Sequence, residues 1–250
     1  DHILLAGASE PVSFFAYPET PSKLAPADCE RQVLAEGHQD VVLALQSLMT
    51  ELQSDSAEPD RYQAAAFEVP TGKLTTRGVA TMIAQQMPEG SILCGDSGGG
   101  AAVLEPAQQS SAHTWLNLTG GSIGQGGPAA IGAAIAAPNA QVFALLGDGA
   151  SMYTIQALWT QARECLAVIT VIFNNQRYGI LETEYLRLGV NEIGQHAGAL
   201  FALTEPNIQF ADLASSLGVP GRRVDSCEDF QAVLAEALHR TGPTLIEVML

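Results

Sequence analysis

The residues of this chain best equipped for chemistry are Asp148 and the pair Asn174-Asn175. They occur as Gly147-Asp148-Gly149, then 24 residues, then Asn174-Asn175. A carboxylate beside an amide oxygen is a pair of hard oxygen ligands. With one backbone carbonyl added, they suit Mg²⁺, which completes its octahedron with phosphate oxygens and water. Two further stretches fit an anionic ligand. Gly98-Gly99-Gly100 and Gly149-Ala150-Ser151 each follow an apolar run and open a presumed helix, where backbone N–H groups favour anionic oxygens. The triple glycine reads equally well as a tight turn that needs positive φ.

Positioning these groups requires a particular scaffold. Val142–Gly147 and Ala167–Phe173 are short apolar runs of strand length, and the segment between them reads as a helix. That is a β-α-β unit with parallel strands. Asp148 and Asn174-Asn175 then emerge at the same carboxyl edge, where open α/β sheets bind ligands. The neighbouring segments extend the pattern. Leu74 to Met87 reads as a helix, Ser91 to Cys94 as a strand, Thr114 to Leu118 as a strand, and a small-residue helix starts at Pro128. Phe210 to Leu217 and Cys227 to Arg240 read as helices and Thr244 to Leu250 as a last strand. The fold class is α/β, a doubly wound and mostly parallel sheet with helices on both faces.

Residues 1–52 form a separate block with strands at Ile3–Ala6 and Val12–Ala16 and a helix from Val41 to Leu52. These elements are too few to complete a Rossmann-like sheet. Residues 53–70 read as a polar linker and 71–250 as the main domain.

Composition narrows the function. A net charge of −16 leaves no basic patch for nucleic acid. No run reaches the ~18 apolar residues of a membrane span. The cysteines Cys29, Cys94, Cys165 and Cys227 are widely spaced, so neither a metal framework nor a disulfide framework is expected and a reducing cytosol is the default. The chain starts at Asp1 and enters a strand almost at once, as a piece of a longer polypeptide would.

The Gly-Asp-Gly and Asn-Asn spacing resembles the signature of thiamine-diphosphate-dependent enzymes. The stretch from Leu118 to Leu250 is similar to the cofactor-binding C-terminal domain of the acetolactate synthase and benzoylformate decarboxylase group. The first block resembles the end of that group's Rossmann-like central domain. The resemblance implies that Asp148, Asn175 and the backbone oxygen of Arg177 hold Mg²⁺ against the diphosphate. It implies cofactor contacts from Gly98, Gly99, Gly121, Ile123, Gly147, Gly149, Ala150, Ser151, Tyr178, Gly179 and Ile180 as well. Ile123, 25 positions before Asp148, corresponds to the aliphatic wedge that bends the cofactor, and the Gly121 carbonyl to the acceptor of its amino group. Ile180 and Glu184 correspond to residues near the substrate. Glu182 and Glu184 read equally well as solvated helix charges.

The implied activity is decarboxylation of a 2-oxo acid, or its carboligation to a second carbonyl. Two departures bear on the choice. Leu181 stands where pyruvate decarboxylases carry a catalytic Glu, and Ile180 and Glu184 stand where acetolactate synthases tend to carry Met and Trp. The family's other catalytic Glu comes from a separate pyrimidine-binding domain that has no match here, usually across a dimer interface. This chain is therefore expected to be inert alone and to work within a homodimer or homotetramer. Two alternatives stay open. One is a non-catalytic cofactor-binding or scaffold subunit. The other is a short-chain NADP dehydrogenase, since Thr119 to Gly126 also fits that family's nucleotide loop. The dehydrogenase reading lacks its catalytic pair, because Tyr153, Tyr178 and Tyr185 are followed four residues later by Ala157, Glu182 and Gly189. His113 and His196 are assigned no role, His196 being placed in a long loop from Gly189 to Asn207. Ile155, Leu158 and Trp159 are expected to pack in the core.

Overall fold

The computed structural model describes residues 2–13, 15–54, 58 and 67–250. Its contacts divide the chain into two compact units, Asp1–Tyr62 with Glu184–Glu192, and Gln63–Thr183 with Ile193–Leu250.

The first unit contains β1 (His2–Ala6), β2 (Glu30–Ala35) and α1 (Val41–Glu51). β1 and β2 pair in parallel as a two-stranded sheet. Asp40 caps α1, its side chain accepting from the Leu43 N–H. Of the strand expected at Val12–Ala16, the described residues form no strand. Val12 makes only an isolated antiparallel bridge to Lys23, in a segment where Pro11, Pro18 and Pro21 remove ladder donors. Phe14, within that expectation, and most of the expected linker lie outside the described residues. β2 went unread because its sequence, Glu-Arg-Gln-Val-Leu-Ala, opens on polar residues, and the first four of the six are exposed.

The second unit carries α2 (Thr76–Gln86), β3 (Ser91–Asp96), α3 (Gly98–Ala101), α4 (Leu104–Ala107), β4 (His113–Leu116), α5 (Gly126–Ala136), β5 (Val142–Gly147), α6 (Asp148–Ser151), α7 (Ala157–Arg163) and β6 (Val168–Asn174). α8 (Gly179–Arg187), whose residues from Glu184 on belong to the first unit, α9 (Gln195–Phe201), α10 (Phe210–Ser216), β7 (Gly221–Val224), α11 (Cys227–Leu238) and β8 (Thr244–Met249) follow. The strands form one six-stranded sheet in the order β4-β3-β5-β6-β8-β7, with every pair parallel.

Alternation along the strands builds two cores. Phe143 and Leu145 face α2 and α11, where Val79, Met82, Ile83, Phe230 and Leu234 pack. Val142, Ala144 and Leu146 face α5, α7 and α10, where Ala130, Leu158, Phe210 and Ala214 pack. Apolar residues on both strand faces are the mark of a sheet covered on both sides. The edge strands β4 and β7 are short and partly exposed. α2 begins two residues later than its apolar pattern because Thr75 caps it, accepting the Gly78 N–H at 3.0 Å.

Three local expectations are corrected. The β5–β6 connection is two short helices, α6 and α7, rather than one. His196 lies on α9 and not in a loop, although it is exposed there. Trp159 is half-exposed and stacks under the Arg163 guanidinium at 4.8 Å, while Leu158 is buried and Ile155 packs against the core.

Candidate functional site

Strand order locates the site. The chain leaves β3 for β4 at one edge, then crosses back to β5 on the other side of β3. The carboxyl ends of β3 and β5 therefore flank a topological switch point, where ligand crevices form in such sheets. Asp96 pairs with Leu146, and Gly147 with Phe173. Asp96, Asp148 and Asn174 consequently emerge side by side along one sheet edge, as the spacing predicts for Asp148 and Asn174.

Asp148 is the first residue of α6 and is buried. Its Oδ1 accepts the Gly149 N–H at 2.7 Å. Its Oδ2 is buried without a hydrogen-bond partner. Burial pushes the carboxyl above its ordinary range, and the N–H groups of Gly149, Gln176, Arg177 and Asn175 act in the opposite direction. A buried carboxylate with an orphaned oxygen is costly unless a cation or donor completes it. Among the described residues, no three His, Cys, Asp or Glu side chains gather into a metal cluster. A cation here would rest on one carboxylate plus amide and backbone oxygens, a donor set that suits Mg²⁺.

Those other oxygens lie on the turn after β6. Asn175 Oδ1 accepts the Arg177 N–H at 3.2 Å, and the Arg177 carbonyl accepts the Gly179 N–H at 2.9 Å. Each oxygen keeps a lone pair for another partner. Gln176 sits at φ 58°, and its carbonyl accepts the Leu203 N–H at 2.8 Å. The Tyr178 N–H donates to the Phe201 carbonyl at 2.8 Å, so the end of α9 and the residues just after it clamp the turn. Gly149 is required beneath Tyr178, since a Cβ there would lie 2.5 Å from its ring.

The glycines of α3 serve close packing rather than a turn of positive φ. A Cβ on Gly99 would lie 2.6 Å from Phe173, and one on Gly100 would lie 2.6 Å from the Leu145 carbonyl oxygen, while Gly98 has open space. Some expected anion donors are already engaged. The Gly100 N–H is taken by Ser97 Oγ at 2.8 Å, and the Gly149 N–H by Asp148. Ser151 is buried, and its hydroxyl donates to the Asp148 carbonyl at 2.8 Å.

Ile123 projects from the loop between β4 and α5 and is 47% exposed. Its N–H donates to the Gly121 carbonyl at 3.0 Å, and Gly120, Gly121 and Gly124 all have positive φ. Ile180, on α8, is 58% exposed. Glu184 falls in the first unit, where Arg187 donates to it at 2.8 Å and Tyr17 at 3.3 Å. Glu182 pairs with Arg177 at 3.2 Å. Both glutamates are thus engaged in ion pairs.

Sequence reasoning assigned nothing to Asp96 and Glu247, yet both are buried carboxylates that hold parts of the site in place. Asp96 Oδ2 accepts the N–H groups of Gly124 and Gly126 at 2.8 and 2.9 Å. Glu247 Oε1 accepts Asn174 Nδ2 at 2.7 Å, and its Oε2 accepts the Ala211 N–H at 3.1 Å. The signal was available in each case. An acid that ends an apolar strand, or interrupts one, is rarely buried without a partner.

Residues 94–248 match the family model described as "Thiamine pyrophosphate enzyme, C-terminal TPP binding domain". The chain is 45% identical to the "Putative acetolactate synthase large subunit IlvX" of Mycobacterium tuberculosis, over 99% of this chain and 48% of that protein. It is 30% identical to a benzoylformate decarboxylase of Pseudomonas aeruginosa, over 84% of this chain and 39% of that protein. Among solved structures it resembles the thiamine diphosphate-dependent 4-hydroxybenzoylformate decarboxylase of Rhodococcus jostii. The TM-score is 0.77 at 26% identity, covering all of this chain and 48% of that one. The chain thus spans less than half the length of these relatives.

Proposed function

Given that the chain belongs to the thiamine pyrophosphate enzymes through their C-terminal TPP-binding domain, we propose that it supplies the diphosphate and Mg²⁺ half of the catalytic site of a 2-oxo acid decarboxylase or carboligase. The observation that carries this reading is the buried Asp148, whose Oδ2 is orphaned and whose carboxyl lies by the Asn175–Arg177 turn at a sheet switch point. Asp148, Asn175 and the Arg177 carbonyl would hold the metal. Backbone of α3 and of Gly149–Ser151 would meet the diphosphate. Ile123 and the Gly121 carbonyl would set the cofactor's conformation, and Ile180 would border the substrate. When bound, thiamine diphosphate supplies the nucleophilic carbon and the electron sink that a 2-oxo acid needs to lose CO₂. The protein's part is to bind it, bend it and exclude water.

In this reading residues 1–52 end a central domain, 53–70 link, and 71–250 bind the diphosphate side. A pyrimidine-binding domain, in the same chain or a partner, completes the site in a homodimer or homotetramer in the cytosol. The 250 residues alone are then inert. Relatives at least twice as long support that need for further domains. Among the described residues no helix is long and apolar enough to cross a membrane.

Calorimetric titration of thiamine diphosphate into the full-length protein, with and without Mg²⁺, tests the proposal. Metal-dependent binding that vanishes in Asp148→Ala is expected. Metal-independent binding, or binding indifferent to the substitution, would overturn it. Binding of NADPH instead would favour the dehydrogenase alternative.

A further inference from the structure

Asp96 ends β3 and is buried, with 3% of its surface exposed. Its Oδ2 receives two backbone N–H groups from the loop that carries Ile123, Gly124 at 2.8 Å and Gly126 at 2.9 Å. The same loop is fastened from the other side, where Thr154 Oγ donates to the Gly124 carbonyl at 2.6 Å. Both peptide groups of Gly124 are therefore tied to groups outside the loop. Close packing allows no other residue there. A Cβ on Gly126 would lie 2.6 Å from the Asp96 Cβ, and one on Gly124, at φ +97°, would lie 2.7 Å from the Tyr153 Cβ.

We propose that Asp96 is a positioning residue that holds the Gly121–Gly126 loop so that Ile123 and the Gly121 carbonyl keep their place above the sheet edge. The inference rests on the reading of Ile123 as the cofactor-facing wedge. The physical logic is that of a single ruler. β3 and β5 are in register, with Asp96 opposite Leu146, two residues before Asp148. The loop is thus anchored to the same sheet edge as Asp148. A carboxylate suits this role because one oxygen can accept two N–H groups in charge-assisted hydrogen bonds. Ile123 itself is half-exposed and has little packing to hold it. Asp96 touches no reacting atom in this scheme. It acts through backbone.

Asp96→Ala and Asp96→Asn in the full-length protein test the proposal. Hydrogen exchange of the Gly124 and Gly126 amides reads the latch without any cofactor. Exchange should quicken at least about tenfold in Asp96→Ala and less in Asp96→Asn, whose amide oxygen still accepts. The second readout needs no turnover. With thiamine diphosphate and Mg²⁺ bound, deuterium exchange at the thiazolium C2 should slow by about 10- to 100-fold in Asp96→Ala, with cofactor affinity changed less than about threefold, because the diphosphate end is held elsewhere. Wild-type amide exchange in both variants would overturn the latch. A loosened loop with unchanged C2 exchange would overturn the positioning role and leave a structural one. If Asp96→Ala does not fold, Asp96→Asn decides by the same readouts. A wild-type protein that binds no thiamine diphosphate would overturn the wedge reading, and the positioning role with it, while amide exchange still decides the latch.

Discussion

Glu247 and Asn174 stand 73 residues apart and share a buried hydrogen bond of 2.7 Å, from Asn174 Nδ2 to Glu247 Oε1. The pair explains why two asparagines stand together where β6 ends. Asn174 is held by Glu247 on one side, and on the other its Oδ1 accepts the Gln176 N–H at 3.1 Å. It thereby shapes the turn that presents Asn175 and the Arg177 carbonyl. Glu247 also receives the Ala211 N–H at 3.1 Å, so α10 is tied to the same carboxylate.

Glu247→Gln should cost about 1–2 kcal/mol of stability, because the new NH₂ group faces a donor where an acceptor stood. Mg²⁺-dependent thiamine diphosphate binding should weaken about tenfold if Asn175 is the metal ligand proposed above, since the support behind it is disturbed. Urea unfolding and calorimetry measure the two effects. Wild-type behaviour in both would show that the turn holds itself.

The triple glycine yields a graded steric prediction. Gly98→Ala meets nothing within 4 Å and should be neutral to within about 0.5 kcal/mol. Gly100→Ala would press a methyl against the Leu145 carbonyl oxygen at 2.6 Å, and β5 backbone cannot move aside as a side chain can. Its cost should be about 1–3 kcal/mol. Thermal melts of the two variants decide this. Equal midpoints would mean that α3 and β5 approach less closely than the 2.6 Å contact implies.

Much of the second unit was legible from residues alone, for a physical reason. β3, β5 and β6 are buried on both faces and read as apolar runs, as does β8 but for Glu247, and the ends of the first three lead into Asp96, Asp148 and Asn174. The edge strand β4 was read, one residue late, but the more polar strands gave no such run. β2 and β7 begin on partly or fully exposed polar residues and pass for loop. Helix caps were readable only in part, and the break between α6 and α7 has no local sequence mark. The supporting carboxylates were hidden differently. Asp96 and Glu247 act through partners 28 to 30 and 36 to 73 residues away, and no local pattern connects them. Ion pairing of Glu182 and Glu184 was likewise invisible without the folded geometry.

Thiol chemistry separates the cysteines sharply. Cys94 is fully buried, and desolvation pushes its thiol up to about 12, so almost no thiolate is present at neutral pH. Cys165 is exposed, two residues beyond the end of α7. Alkylation of the native protein at neutral pH, mapped by mass spectrometry, should label Cys165 and leave Cys94 unmodified until denaturant is added. Rapid native labelling of Cys94 would show that β3 opens far more readily than its burial implies.

Asp148 should cost the metal-free protein stability, and the sign follows from its raised pKa. The folded state holds the proton more tightly than the unfolded chain. Its contribution is therefore fully present below the unfolded carboxylate pKa and is lost as pH rises through the higher folded value. Once ionised, the partly orphaned carboxylate is a liability that a cation would relieve. In the presence of chelator, Asp148→Asn should raise stability at pH 7 by about 1 kcal/mol, and the gain should shrink as the pH falls into the ordinary carboxylate range. The gain is modest because the new NH₂ lies among the N–H groups of Asn175 to Arg177. Mg²⁺ with thiamine diphosphate should reverse the order, stabilising the wild type alone. Melting curves across pH, with and without the metal and cofactor, make the comparison. A variant less stable than the wild type in chelator at pH 7 would mean that those N–H groups already satisfy the carboxylate, and that it is held for the fold rather than for a cation.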